Sequence, residues 1–378
     1  MVKKSRRSVA DVGRLLGCQL LRGLRLFPPL LMLSLSILLG LTALTSTSPL
    51  HSRSSTFSYN GTEVTHGHYL DESITSRTFF NGTCSKDNIV TRKEWRSLQD
   101  DEKTAFVEAE LCLMNLPGTT GLPGAVSRFD DFQAAHQQGT NNTYGDIIHY
   151  TPQFLAWHRF QLHAHETVLK EQCNYTGTLP WWDEAQDAAS GDFFQSDMWE
   201  DRWFGGNGSS IDNCVTTGPF ANRTIHVGPI EQTTDYCFAR KWNETKGLDY
   251  GARSHVDACY EFGGDEFESF YGCMAYYPHI AGHQATGGVM TDVDSSPGDP
   301  LFYLHHTYLD RLWWQWEQVN VTDRMFALAG NTTVTEPPGG FVEMTIDYEM
   351  NMFGIVPNVT VADVVNIQGG YLCYEYEY

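Results

Sequence analysis

The stretch Asp299-Pro300-Leu301-Phe302-Tyr303-Leu304-His305-His306-Thr307-Tyr308-Leu309-Asp310 carries the strongest signal in the chain. If it is helical, His306 and Asp310 lie one turn apart, so an inward-facing imidazole has a carboxylate beside it. His279 and His283 are also four residues apart, which places both imidazoles on one helical face. The three histidines together predict one metal site, with Asp310 as its supporting carboxylate.

A second set of three histidines precedes this one. His136 ends an apolar helical pattern that starts near Val126, and His149 and His158 flank Pro152, which forces an extended segment before the next helix. Neither set contains a cysteine or a carboxylate ligand. Ligation by imidazoles alone suits copper, zinc or nickel, and the spacing does not separate them. Because only neutral imidazoles bind metal, loading should weaken below about pH 6 to 6.5.

The N-terminal region reads as a membrane anchor. A basic tail at residues 1–25 precedes an uncharged run from Leu26 to Leu44, close to the roughly 20 residues that a bilayer span needs. The charge bias predicts a cytosolic N-terminus and a lumenal or extracellular remainder. We therefore expect a transmembrane signal-anchor at 26–44, or a cleaved signal peptide and a secreted protein as the alternative. Residues 45–83 predict a flexible stalk before a catalytic domain at 84–378.

The composition agrees with an oxidising compartment. Ten Asn-x-Ser/Thr sequons and eight cysteines follow the apolar run, which predicts a glycoprotein with up to four disulfides of open connectivity. The net charge of −21 argues against a nucleic-acid partner.

These motifs resemble the type 3 copper family of tyrosinases and catechol oxidases, particularly its short fungal secreted members. The stretch from Asp299 to Asp310 resembles the second-copper motif, and His149 to Arg159 resembles the first. The resemblance implies a mainly α fold, in which a four-helix core holds two copper ions and long loops with a few short strands surround it. It implies six ligands, with His305 and Asp310 supporting them: His136, His149, His158, His279, His283 and His306. It also places Ile280, Gly288 and Val289 at the substrate entrance.

The implied activity is that of a polyphenol oxidase, which uses dioxygen to oxidise phenolic substrates to o-quinones. Family members that hydroxylate monophenols tend to have Glu shortly before the first ligand of the second copper and Asn directly after it. Here Ala275 and its neighbours precede His279, and Ile280 follows it. A base for phenol deprotonation is therefore missing, and we expect o-diphenols or o-aminophenols to be preferred over monophenols.

Two further departures and two alternatives stand beside this interpretation. Ile147 occupies the position of a cysteine that many relatives cross-link to the second ligand, so no cross-link is expected, and Glu184 follows Asp183 where relatives commonly carry Trp. A dioxygen-binding or non-catalytic dicopper protein would share the same ligand set. A membrane-tethered enzyme that tailors a secondary metabolite or peptide in the secretory pathway would keep the chemistry and change the substrate, whereas a cleaved signal would favour a secreted pigment or phenol oxidase.

Overall fold

The computed structural model describes residues 56–59, 62–65 and 83–377. Its α-helices, numbered here in chain order, are α1 Asp100–Asn115, α2 Arg128–Thr140, α3 Phe154–Cys173, α4 Glu184–Ser190, α5 Glu244–Tyr250, α6 Arg253–Gly263, α7 Phe267–Tyr276, α8 Pro278–Thr286, α9 Leu301–Val319, α10 Val321–Arg324 and α11 Val361–Val365. Short 3-10 turns lie at Trp95–Ser97, Asp197–Trp199, Gly288–Thr291 and Ser296–Gly298. The predicted mainly helical fold is confirmed.

The strands are short and occur in pairs. They are β1 Thr56–Tyr59, β2 Thr62–Thr65, β3 Val90–Arg92, β4 Thr224–Ile225, β5 Tyr236–Cys237, β6 Glu349–Met350, β7 Val359–Thr360 and β8 Tyr374–Tyr376. Three pairs are antiparallel, and β3 pairs with β8 in parallel, joining the two ends of the described domain. The β1–β2 hairpin lies within the predicted stalk, the rest of which is outside the described residues apart from Thr83.

Local sequence explains where the site-bearing helices begin and end. Ser127 starts α2 with a capping box, because its hydroxyl accepts from the Asp130 backbone while Asp130 accepts from the Ser127 backbone. Pro278 occupies the first turn of α8, where its missing N–H costs nothing. Asn174 ends α3 in the left-handed region, with φ of 55°.

Helices α3 and α9 form the centre of the core and pack against each other. Both are buried along most of their length, although each carries charged residues. The Arg159 guanidinium on α3 binds the Asp310 carboxylate on α9 and stacks 3.7 Å from the Trp313 ring. A buried charge is tolerated only when it is paired and hydrogen-bonded, so this contact fixes the two helices in register.

Four disulfides are formed by the eight cysteines that follow the apolar run. They are Cys84–Cys373, Cys112–Cys173, Cys214–Cys237 and Cys259–Cys273. The prediction of disulfide bonds is confirmed, and the structure supplies the connectivity that the sequence left open.

The predicted single-pass membrane localisation needs correction. In the part of the chain that the structure describes, no helix combines the length and the apolar character needed to cross a bilayer. The run from Leu26 to Leu44, on which the prediction rested, lies outside that part. The membrane interpretation is therefore withdrawn.

Candidate metal centre

The first three histidines come from two helices and the loop between them. His136 lies in α2, His158 lies in α3, and His149 lies in the segment that precedes α3. Their ring centroids are 5.0 Å apart for His136 and His149, 5.1 Å for His149 and His158, and 5.6 Å for His136 and His158. Each offers a nitrogen within 4.8 Å of the other two, which is a spacing that one metal ion can bridge.

The second set lies on α8 and α9. His279 and His283 occupy one face of α8, and the Nε2 atoms of His283 and His306 are 3.3 Å apart. Two imidazole nitrogens bound tetrahedrally to one ion at about 2.0 Å would be separated by about this distance. The two sets face each other, because the His158 and His306 rings stack with centroids 4.3 Å apart. The structure thus brings all six predicted histidines into one cluster.

The rings are oriented by hydrogen bonds from their Nδ1 atoms. His136, His158, His279 and His283 bond to the backbone carbonyls of Asp294, Phe154, Ala275 and Met290, at 3.2, 2.7, 3.3 and 2.7 Å. His149 bonds instead to the Asp146 carboxylate, at 2.9 Å. Such partners fix the tautomer and leave Nε2 free to bind metal. The Nε2 atoms of His136 and His158 in the first set, and of His279 and His305 in the second group, are buried without a hydrogen-bond partner, as donors to a metal ion in each set would be.

The electrostatics favour metal binding. Burial lowers the pKa of five of the imidazoles well below its usual value, and neighbouring imidazoles lower it further: His136, His158, His279, His283 and His306. These rings are therefore neutral near pH 7, and neutral imidazole is the form that binds copper.

His305 makes a contact that the sequence did not predict. Its Nδ1 lies 2.5 Å from the Glu184 carboxyl oxygen, and both side chains are fully buried. Burial raises the pKa of Glu184 well above its usual value, and the nearby Asp183 raises it further. Gly282 leaves the room for this pair, since a Cβ there would lie 2.2 Å from His305 Nδ1. His305 therefore contacts Glu184 on α4, and its supporting role stays a prediction.

The Asp310 side chain makes different contacts from those predicted. Although it is one turn from His306, its carboxylate binds Arg159 on α3 and the hydroxyls of Tyr374 and Tyr376 on β8. Within residues 83–377, His306 is not among the hydrogen-bond partners of this carboxylate. Leaving a buried guanidinium without an anionic partner costs more free energy than leaving a neutral imidazole without one. The Asp310 carboxylate therefore binds Arg159 and not His306.

The three predicted entrance residues differ in exposure. Ile280 and Gly288 are half-buried, whereas Val289 is only 3% exposed and belongs to the core. The turn that contains Gly288 and Val289 has another evident role, because its Met290 carbonyl bonds to His283. Gly288 has φ of +59°, and a Cβ there would lie 2.0 Å from the Ala239 carbonyl oxygen.

Sequence reasoning missed the groups that hold the histidines in place. Asp146 lies just before the first motif and Glu184 lies between the two motifs, so their type was visible, but their pairing with His149 and His305 depends on how the chain folds. The carbonyl groups of Asp294 and Met290 leave no side-chain signal in a sequence.

Comparison with known proteins identifies this arrangement. Residues 126–319 match the common central domain of tyrosinase. The chain is 30% identical over 355 residues to N-acetyl-6-hydroxytryptophan oxidase ivoB of Emericella nidulans, covering 78% of this chain and 94% of that protein. It is also 30% identical over 337 residues to tyrosinase ustQ of Aspergillus flavus, covering 82% and 84% respectively.

A solved structure supports the same fold. The polyphenol oxidase of Thermothelomyces thermophila aligns with a TM-score of 0.67 and 27% identity, covering 78% of this chain and 90% of that one. The matched domain contains all six clustered histidines, and copper is the metal of this family. The chain therefore belongs to the tyrosinase family, as a copper-dependent oxidoreductase of the polyphenol oxidase type.

Proposed function

We propose that this enzyme oxidises o-diphenols and o-aminophenols to the corresponding quinones and quinone imines faster than it hydroxylates monophenols. Two copper ions would be held by His136, His149 and His158, and by His279, His283 and His306. When bound, the copper pair would supply the redox centre for the reduction of dioxygen. Two catechols lose two electrons and two protons each, and one dioxygen is reduced to two water molecules.

The observation that carries this preference is that, among the residues that the structure describes, His279 has no carboxylate hydrogen-bond partner and is followed by an apolar side chain. Its Nδ1 bonds to the backbone carbonyl of Ala275, and the next residue on α8 is the apolar Ile280. The buried Glu184 carboxyl is already engaged by His305. A monophenol must lose a proton before its ring is hydroxylated, so the missing base slows that reaction more than catechol oxidation.

Differences in burial support approach of the substrate along α8. His279 and His283 are partly exposed, whereas the side chains of His136, His149, His158 and His306 are buried. Ile280 adjoins His279, and Gly288 lies on the turn that orients His283. A phenol that reaches the centre from this side would pack its ring against Ile280.

Matched substrates test the preference. Full-length copper-loaded protein is assayed with 4-methylcatechol and 4-methylphenol, following dioxygen consumption and quinone absorbance. We expect turnover of the catechol to exceed that of the phenol at least tenfold. Ile280→Asn should raise the phenol-to-catechol ratio, because an amide beside His279 can hold a proton-accepting water, while Ile211→Asn, at a side chain 94% exposed, should leave the ratio unchanged. Faster turnover of the phenol would refute the proposal.

The natural substrate is proposed to be a hydroxylated aromatic intermediate of secondary metabolism or pigment formation. One relative is named as an N-acetyl-6-hydroxytryptophan oxidase, so a hydroxylated indole is a concrete candidate to assay. Four disulfides favour maturation in an oxidising compartment, followed by secretion as a glycoprotein. The sequon asparagines within residues 83–377 are at least partly exposed, which glycosylation requires.

A further inference from the structure

His149 differs from the other candidate ligands in what holds it. The other five lie within helices, where the backbone hydrogen-bond ladder sets the direction of the side chain, whereas His149 lies in the loop between α2 and α3. A ligand on a loop requires additional restraints, because a metal site needs its donors held within about 0.5 Å of the productive geometry. The surroundings of His149 show where these restraints originate.

Asp146 makes three hydrogen bonds to this loop. Its Oδ1 accepts from the backbone N–H groups of Ile148 and His149, at 3.2 and 3.0 Å, which forms a local turn. Its Oδ2 is 2.9 Å from His149 Nδ1. One carboxylate therefore fixes both the backbone and the imidazole of the same ligand, and it directs Nε2 toward the other histidines.

The loop itself is held against its neighbours. The Ile147 N–H donates to the Gly139 carbonyl at the end of α2, and the Thr151 hydroxyl donates to the Ile147 carbonyl. Gly145, directly before Asp146, has φ of +98°, and a Cβ there would lie 2.7 Å from the Val334 side chain. These contacts restrain the backbone on both sides of Asp146, and its side chain is only 13% exposed.

Among the Nδ1 contacts described for the six candidate ligands, only that of His149 is to an anion. The four other Nδ1 contacts are to neutral backbone carbonyls. A carboxylate partner makes an imidazole a stronger donor to metal, and losing such a partner typically weakens metal affinity 10- to 100-fold. We propose that Asp146 is a positioning residue that orients His149 and strengthens its bond to the first copper. This inference rests on the copper centre of the proposed function.

Two substitutions separate the imidazole contact from the turn. Asp146→Asn and Asp146→Ser each retain an oxygen that can accept from the two backbone N–H groups. Neither presents a carboxylate to His149, and the Asn amide nitrogen would favour the tautomer whose Nε2 carries the proton and cannot bind copper. Asp212→Asn is the matched control, because Asp212 also accepts from a backbone N–H in a turn and contacts Cys214 and Ser209 but no candidate ligand.

The readout is copper affinity. Each full-length protein is equilibrated with Cu(I) and a chromogenic competing chelator, and bound copper per chain is counted alongside the thermal unfolding of the copper-free form. We expect both Asp146 variants to hold one copper 10- to 100-fold more weakly while the copper-free unfolding temperature stays near that of the wild type. Wild-type affinity in either folded variant, or failure of both to fold, overturns the inference. A wild-type protein that binds no copper refutes the proposed function instead.

Discussion

His305 and His306 are adjacent on α9 and belong to the same histidine group, and we propose different roles for them because their contacts differ. His306 Nε2 faces His283 Nε2 at 3.3 Å, whereas His305 Nδ1 is bound to Glu184. We expect His306→Ala to lose one of two copper ions and at least 100-fold in activity. His305→Ala should destabilise the copper-free protein by about 2–3 kcal/mol, because it creates a cavity and leaves the Glu184 carboxyl buried without a partner.

Copper counted per folded chain and urea unfolding of the copper-free forms separate the two outcomes. His163→Ala is a useful control, since His163 lies on α3 between the two motifs and is not part of either candidate metal cluster. A His306→Ala protein that keeps two copper ions and near-normal turnover would contradict the ligand assignment.

The residue scale also shows what a sequence can indicate about such a site. Helical spacing predicted that His279 and His283 share one face of α8, whereas the full set of six was implied by the resemblance of the two motifs to the copper family. The direction of Asp310 was not identifiable. Its partner Arg159 is 151 residues away in the chain, and competition between partners is decided only when the helices pack.

At the scale of elements, the conformation of the turn Gly288–Thr291 determines the orientation of one candidate ligand, His283. Its Met290 carbonyl orients His283, and Gly288 allows the turn to pass the Ala239 carbonyl closely. We expect Gly288→Ala to cost at least about 1–3 kcal/mol, through the positive φ and the steric conflict, and to weaken copper binding by displacing His283.

Gly272→Ala provides the matched comparison. Gly272 is an exposed residue in α7. Apart from its chain neighbours and its own helix backbone, no described atom would lie within 4 Å of a Cβ added there. Alanine there should stabilise the protein by about 0.5–1 kcal/mol, because glycine is the poorer helix former. Urea unfolding with a copper count tests both variants. If the two variants had equal free energies of unfolding, the turn at Gly288 would accommodate a Cβ without loss of stability, which would contradict the prediction.

The helices were predictable to within a few residues where periodicity and caps coincide. The start predicted for α2 near Val126 is observed at Arg128, since Ser127 caps the helix, and the helix predicted after Pro152 begins at Phe154. The segment between Thr178 and Tyr260 gave no comparable signal, although it contains α4, α5 and most of α6. Its conformation depends on distant contacts, such as that of the Arg240 guanidinium with Asp299, which lies at the start of the second motif.

At the scale of the whole molecule, the two ends of the described domain meet beside α3. Strand β3 pairs with β8, the Cys84–Cys373 disulfide joins the segments that precede them, and Arg92 at the end of β3 binds Glu166 on α3 at 2.8 Å. Glu166 also accepts from Lys170 and from the Leu179 backbone. This carboxylate therefore anchors the paired ends to the helix that carries His158.

The charge state of Glu166 makes this anchoring dependent on pH. Burial alone would raise the pKa of Glu166, but Arg92 and Lys170 outweigh it and hold the pKa at about 2. Since the folded pKa is depressed, the stabilisation is complete above the unfolded value of about 4.5 and is lost as pH falls toward 2. Glu166→Gln should thus lower the free energy of unfolding by about 3 kcal/mol at pH 7, with the difference from wild type shrinking below pH 4.5.

Urea unfolding from pH 7 to pH 3 measures this difference. The control is Glu171→Gln, an exposed site on the same helix, whose free energy of unfolding should stay within about 0.5 kcal/mol of the wild-type value. A Glu166→Gln difference that stays constant across this range would show that the contact acts through packing and not through charge.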